Sequence, residues 1–122
     1  MKLIAGIILI FMSVVHIIYG EKQPINELKK LNADNILIGS FRTMSLQGGL
    51  LLLAVGVVEI MVYSGIIALS GFAAFIPVGI ICLNVLSVLI VATVKHQELF
   101  KAIIPQLIIF AIIITLQLVS VI

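Results

Sequence analysis

The sequence predicts an all-α integral membrane protein, an up-down four-helix bundle with a short amphipathic helix in the first connection. Four apolar runs, at about residues 3–20, 40–63, 72–94 and 102–121, occupy most of the 122 residues. A transmembrane helix needs about 20 such residues. Hydrophobic residues make up 63% of the chain and charged residues 10%. We therefore expect residues 1–122 to form a single four-span domain, with no length left for a soluble catalytic domain.

The continuity of the apolar runs favours helices over a transmembrane barrel. Barrel strands alternate apolar and polar residues over about ten positions, whereas a helix satisfies every backbone N–H and C=O group within itself. The first run begins like a signal peptide, but its apolar stretch is too long and no small-residue cleavage site follows. We expect it to be retained as the first span.

The first connection, residues 21–42, is the longest and most charged. Within it Ile25, Leu28 and Leu31 recur at three-residue spacing, which indicates a short amphipathic helix on the membrane surface. Asp34 is of a residue type that caps helix N-termini, so we expect the second span to begin there, before the hydrocarbon.

The distribution of basic residues predicts the orientation. Six of the seven Lys and Arg residues lie in the first and third connections, which must share one side of the membrane. Cytoplasmic loops carry the excess of Lys and Arg. We therefore expect a multi-pass protein of the inner (cytoplasmic) membrane with both termini outside. Lys2 is the exception.

Small and polar residues form a stripe on the first two spans. At 100° per residue the stripe of span two covers a face about 100° wide. Without a hydrophobic drive between helices in lipid, small residues allow close approach and polar ones bond across the contact. The stripe of span two is Arg42, Ser45, Gly49, Leu52, Gly56, Glu59 and Tyr63, and that of span one is Gly6, Leu9, Ser13, His16 and Gly20. The predicted helix-packing residues are Gly49, Gly56, Asn84 and Ser87.

Ionisable residues within spans are the stronger functional candidates, since each costs about 2.5–3.5 kcal/mol on insertion scales. Depth separates them into two groups. His16 and Arg42 lie near the first connection. Glu59 lies 17 residues beyond Arg42, about 25 Å along the helix, and belongs at the other end, near Tyr63, Gln117 and Lys2.

We predict a ligand-binding site in the first group. Arg42 would hold an anionic group, and His16 would hydrogen-bond it or sense pH. Glu59 is a candidate for proton coupling because burial disfavours a charged carboxylate. The simpler alternatives are interface snorkelling for Arg42 and an ion pair with Lys2 for Glu59. The predicted ligand-binding residues are His16, Ser13, Glu21, Arg42 and Ser45.

Several classes of chemistry lack support in the sequence. No zinc-protease, thiol-redox, nucleophile-elbow or phosphate-loop motif occurs. Haem or metal binding through His16 and His96, with Glu21 as a further metal ligand, is not favoured because neither spacing is diagnostic. A single cysteine, Cys82, excludes an internal disulfide and is expected to be buried. The net charge of +2 does not suggest nucleic acid. We predict no cofactor and favour a non-enzymatic protein.

The end of span one resembles a family of small bacterial four-span inner-membrane proteins. The resemblance is carried by His16-Ile-Ile-Tyr-Gly20-Glu21, then Leu28, and Arg42 at the start of span two. It implies a shared fold and marks His16, Glu21 and Arg42 as site positions, with no known reaction. In that family Trp and His closely follow the arginine, whereas Thr43 follows it here. Small multidrug-resistance transporters have a similar length, but they carry their membrane glutamate in span one.

Two function hypotheses follow from these observations. In the first, the protein binds or transports a lipid or small molecule through a polar cleft between spans one and two. In the second, it is a structural or accessory subunit whose glycine faces dock a homo-oligomer or a larger membrane complex.

Overall fold

The computed structural model describes residues 1–122, apart from the side chain of Leu99. It is all-α, and no strand occurs in the described residues, which confirms the predicted fold class. A π-helical turn, Glu21–Ile25, joins the first two helices, and a 3₁₀ turn, Gly71–Phe75, precedes the fourth. The α-helices are α1 (Lys2–Gly20), α2 (Asn26–Lys30), α3 (Asn35–Tyr63), α4 (Ile76–Val94) and α5 (Leu99–Val121).

Four helical segments are long and apolar enough to cross a membrane. Large apolar side chains cover the outside of the bundle: Phe11 is 67% exposed and Phe72 is 86% exposed. A water-soluble monomer rarely carries so continuous an apolar surface. The chain therefore has the architecture of a multi-pass membrane protein. The four segments are Lys2–Lys30, Asn35–Tyr63, Gly71–Val94 and Phe100–Val121.

The first connection contains the predicted helix, but α1 continues into it without a break. The π-helical turn carries the chain past Pro24, which has no N–H to donate, and α2 follows directly. Asn32, with φ of 55°, then supplies the left-handed residue that reverses the chain. The Asp34 side chain accepts the Ile36 N–H at 3.1 Å, so Asp34 caps α3 as predicted.

The four long helices form a closed ring with α3, α1, α5 and α4 as successive neighbours. α1 packs most extensively against α3, whereas α4 contacts α5 more than it contacts α3. We call the end that carries the α1–α3 and α4–α5 connections the charged end. The opposite end, with both chain termini and residues 64–75, is the terminal end. Every long helix contributes to the buried core, which consists of Leu9, Leu52, Val55, Ile81, Phe110 and Ile113.

Glycines set the distance between α1 and α3. A Cβ added to Gly56 would stand 2.9 Å from the Gly6 carbonyl oxygen, and one added to Gly6 would stand 2.9 Å from the Gly56 carbonyl oxygen. Because each glycine meets the backbone of the other helix, neither could gain a side chain without moving a helix. A Cβ on Gly49 would likewise collide with the Ile17 side chain. Gly49 and Gly56 thus lie where α1 and α3 pack closely against each other.

A looser contact between α3 and α4 leaves an apolar cavity of about 260 Å³ near the terminal end. Residues of the α3–α4 connection and the start of α4 form its outer wall. Its lining consists of Leu51, Ala54, Val55, Val58, Ile67, Leu69, Ala73, Ile76, Pro77 and Ile80.

The glycine contact predicts a sharp difference between two Gly→Ala changes. Gly56→Ala should destabilise the bundle by about 1–3 kcal/mol, because the new methyl group overpacks the contact with Gly6. Gly79→Ala is the matched control, since a Cβ at this helical glycine meets nothing within 4 Å. Alanine is the better helix former, so Gly79→Ala should be neutral or slightly stabilising. Denaturant unfolding in mixed micelles measures both, and equal stability of the two variants would contradict the assignment.

Candidate functional site

Polar side chains gather at the two ends of the α1–α3 contact, as the depth argument predicts. The Arg42 cluster, at the charged end, consists of His16, Glu21, Arg42 and Ser45. The Glu59 cluster, at the terminal end, consists of Lys2, Glu59 and Gln117.

An exposed ion pair organises the Arg42 cluster. The Arg42 guanidinium donates through Nε to Glu21 Oε1 at 2.8 Å and through Nη2 to Glu21 Oε2 at 3.1 Å. The two side chains are 45% and 48% exposed. An ion pair this exposed contributes roughly 0–1 kcal/mol to stability. A guanidinium has five N–H donors, of which Glu21 engages two. Arg42 is therefore held in place but keeps most of its capacity to bind an acceptor.

His16 lies one turn deeper, half-buried between α1 and α3. Its Nε2 would be 2.9 Å from a Cβ on Gly48, so the lack of a side chain at Gly48 makes room for the imidazole. A Cβ on Gly20 would collide with Ser45 Oγ. Among the described residues no side-chain hydrogen bond joins His16 to Arg42.

The predicted cleft between the first two spans is a closed seam in this structure. Ser13 is 2% exposed, and its hydroxyl donates to the Ile10 carbonyl of its own helix at 2.6 Å. A Cβ on Gly49 would stand 3.3 Å from the Ser13 carbonyl oxygen, so the two backbones are in contact at this level. Glycine faces bring the helices too close for an open passage. Solvent reaches the predicted site at Arg42 and Glu21.

The Glu59 cluster ties three helices together. Gln117 Nε2 of α5 donates to Glu59 Oε1 of α3 at 2.9 Å, and Lys2 Nζ of α1 lies 3.7 Å from Glu59 Oε2. Glu59 is 2% exposed and Gln117 is 0% exposed, whereas the Lys2 side chain is 23% exposed. The Glu59–Gln117 bond therefore crosses the inside of the bundle, between helices that are not neighbours in the ring.

Two oxygen atoms in the Glu59 cluster are buried without a hydrogen-bond partner from the protein: Glu59 Oε2 and Gln117 Oε1. An unsatisfied buried polar group costs about 1–3 kcal/mol. Both atoms are acceptors, so whatever satisfies them must be a hydrogen donor.

The third connection contains a separate, exposed pair. His96 Nδ1 lies 3.4 Å from Glu98 Oε1. The backbone N–H of Glu98 and the His96 ring hold the pKa of the Glu98 carboxyl below its ordinary value. His16, the other histidine, lies on α1 and is not part of this pair. Within the described residues, no three His, Cys, Asp or Glu side chains are grouped closely enough to hold a metal ion.

On α4, Asn84 is partly buried, whereas the exposed Ser87 and Thr93 bond within their own helix. Ser87 is exposed, and its hydroxyl donates to the Asn84 carbonyl at 2.8 Å. Cys82 is exposed, so the expectation that it is buried is wrong. The ring arrangement turns that face of α4 away from the other helices. A shallow apolar groove of about 520 Å³ lies there, lined by Phe72, Phe75, Ile76, Gly79, Ile80, Cys82, Leu83 and Leu86.

Comparison with protein-family models, with curated proteins and with solved structures found no match. The resemblance to small four-span inner-membrane proteins stays a prediction.

Three contributors to these clusters lie outside the predicted site residues. Lys2 and Gln117 are expected near Glu59, but the sequence does not predict that Gln117 bonds it directly. Gly48 lies off the stripe of α3, and its only signal is its position beside Gly49. Whether a side chain can contact another helix depends on the distance between the two helices. The residue pattern of a single helix does not predict that distance.

Proposed function

We propose that this chain is a non-enzymatic protein of the inner (cytoplasmic) membrane that binds an anionic group at the Arg42 cluster, carried by a lipid headgroup or a small molecule. The observation that carries the proposal is the exposed, doubly hydrogen-bonded Arg42–Glu21 pair at the end of α1 and α3. The resemblance noted above marks the same two residues and His16 as site positions.

The length of α3 supports an interfacial position for Arg42. The 29 residues of α3 span about 43 Å, which exceeds a hydrocarbon core of about 30 Å. Its first turns therefore extend beyond the hydrocarbon if Glu59 lies inside the far boundary. Arg42, seven residues after Asn35, is about 25 Å from Glu59 along the helix and therefore lies near the hydrocarbon boundary, where its long side chain can reach the lipid headgroups.

The chemistry of the pair suits an anion. A guanidinium matches phosphate or carboxylate oxygens through parallel N–H donors. Glu21 fixes the Arg42 side chain before a ligand arrives, which reduces the conformational entropy lost on binding. Glu21 also competes with the ligand, because both need the same positive charge. Ser45, three residues after Arg42, and then His16 are the next polar groups that a bound molecule would meet.

Substitutions on the two sides of the ion pair should act in opposite directions. Arg42→Gln should weaken binding of phosphatidylglycerol by roughly tenfold or more, since a hydrogen bond to a charged group is worth about 1.5–3 kcal/mol. Glu21→Gln should strengthen binding, because it removes the competing carboxylate. Native mass spectrometry of protein released from nanodiscs of mixed phosphatidylglycerol and phosphatidylcholine measures the retained lipid.

Lys29→Gln is the matched control, because it removes one exposed positive charge from the same connection. Titration with inorganic phosphate in phosphatidylcholine nanodiscs distinguishes a soluble anion from a lipid. The proposal is wrong if Arg42→Gln and Lys29→Gln behave alike towards both probes.

We propose further that the charged end faces the cytoplasm and that both termini lie outside. Six of the chain's seven Lys and Arg residues lie at the charged end, which supports this orientation. In a Cys82→Ser background, a membrane-impermeant maleimide added to intact cells should label Ser120→Cys and leave Lys29→Cys unlabelled until the cells are opened. The reverse pattern would contradict the orientation.

A structural or accessory role in a homo-oligomer is the second candidate, and the apolar groove on α4 favours it. Gly49 and Gly56 are already used against α1, so a partner must use another surface. Nothing lies within 4 Å of a Cβ position on Gly79, which leaves room for a neighbouring helix to approach.

Cys82 lies in the same groove and provides the test of assembly. In native membranes a short bismaleimide should give a covalent dimer of the wild-type chain, because a two-fold contact on this face brings the two thiols together. Cys82→Ser should abolish the product and Gly79→Leu should reduce it. A chain that stays monomeric under these conditions contradicts the second candidate.

A further inference from the structure

We propose that Glu59 and Gln117 form a buried proton-binding site, in which one proton on Glu59 closes a cyclic pair of hydrogen bonds with the Gln117 amide. This site lies at the terminal end, on the far side of the bundle from the Arg42 cluster, and does not depend on the function proposed there.

The two unpartnered oxygens are the observation that points to a proton. Gln117 Nε2 already donates to Glu59 Oε1 at 2.9 Å, so the amide and the carboxyl group are in direct contact. The atoms left without a partner are the second oxygen of each group, Glu59 Oε2 and Gln117 Oε1. A carboxylic acid and a primary amide make two hydrogen bonds in this arrangement, N–H to O=C and O–H to O=C. In such a cyclic pair, a single proton on Glu59 Oε2 satisfies both buried atoms.

Lys2 stabilises the alternative, deprotonated state. Its ammonium group lies 3.7 Å from Glu59 Oε2, which gives an electrostatic attraction without a short hydrogen bond. The Lys2 side chain is 23% exposed while Glu59 is 2% exposed, so Lys2 reaches both the carboxylate and the surrounding medium. In the deprotonated state, Glu59 has the ion pair with Lys2 and one hydrogen bond with the Gln117 amide. In the protonated state, it has two hydrogen bonds with that amide and no ion pair.

The exchange between these states balances in atoms and charge. A proton from water at the terminal end forms an O–H bond on Glu59 Oε2, and the carboxylate becomes a neutral carboxylic acid. Lys2 keeps its own proton, loses its counter-charge and turns towards the medium. The pair changes from neutral to a net charge of +1. No other reactant is required.

The other elements around Glu59 leave Lys2 as the dominant charged neighbour. α5 presents the uncharged Gln117, and the ionisable side chain of α4 is the exposed Cys82. Other ionisable groups at this end are the amino group of Met1 and the exposed Tyr63, one turn beyond Glu59.

The test follows the side-chain carbonyl carbons by NMR in the full chain. With ¹³C-labelled glutamate and glutamine in nanodiscs, the sequence gives only four glutamate and five glutamine signals. Glu59→Gln and Gln117→Leu identify the two signals of interest. On lowering the pH, the Glu59 and Gln117 signals of the wild-type chain should move together with one midpoint, while the other glutamine signals stay fixed.

Lys2→Met should shift that midpoint to higher pH, because loss of the nearby positive charge favours the protonated carboxyl group. Lys30→Met is the matched control. Lys30 pairs with Glu27 at 3.6 Å on the exposed surface, far from the site, and its loss should leave the midpoint unchanged.

Two results would overturn the proposal. In the first, the Glu59 signal does not change over the whole pH range in which the bundle stays folded. Glu59 would then be permanently ion-paired with Lys2 and would bind no proton. In the second, Glu59 titrates while the Gln117 signal stays fixed, which excludes the cyclic pair. Both cases are decided by the titration of the wild-type chain once its Glu59 and Gln117 signals are assigned, and neither requires that Lys2→Met folds.

Discussion

The close backbone contact between α1 and α3 determines how the rest of this molecule is arranged. In lipid there is little hydrophobic gain from pressing two apolar helices together, so shape and hydrogen bonding decide which helices pair. Gly6 and Gly56 bring the two backbones into direct contact, and Gly49 continues the contact towards the charged end. Once these helices are in register, the polar residues at their ends meet: Glu21 with Arg42, and Lys2 with Glu59.

The two clusters differ in environment, and this difference separates their chemistry. Arg42 and Glu21 are about half exposed, so their charges are solvated and cost little to maintain. Glu59 and Gln117 are enclosed by three helices, where a charge without close partners is expensive. The exposed cluster is suited to an exchangeable anionic ligand. For the enclosed one we propose a proton, because its two buried unpartnered atoms are both hydrogen-bond acceptors.

The packing of α4 is different from that of α1. α3 and α1 meet through glycine, whereas α3 and α4 meet through larger side chains and leave an apolar cavity between them. A bundle built in this way has one tight helix pair and a second pair, α4 and α5, held more loosely around it. The open face of α4, with Gly79 and Cys82, is a part of the surface that another helix could approach closely.

The sequence by itself determined the fold class, the four spans, the Asp34 cap and the division of ionisable residues between two ends. These depend on local properties, since hydropathy, helix period and rise per residue are the same wherever a helix lies. Only the tertiary structure decided the ring order of the helices, the closure of the seam at Ser13 and Gly49, the exposure of Cys82 and the bond between Glu59 and Gln117. Those features depend on the distance and rotation between helices, which arise from many weak contacts acting together and are not encoded in the period of any one helix.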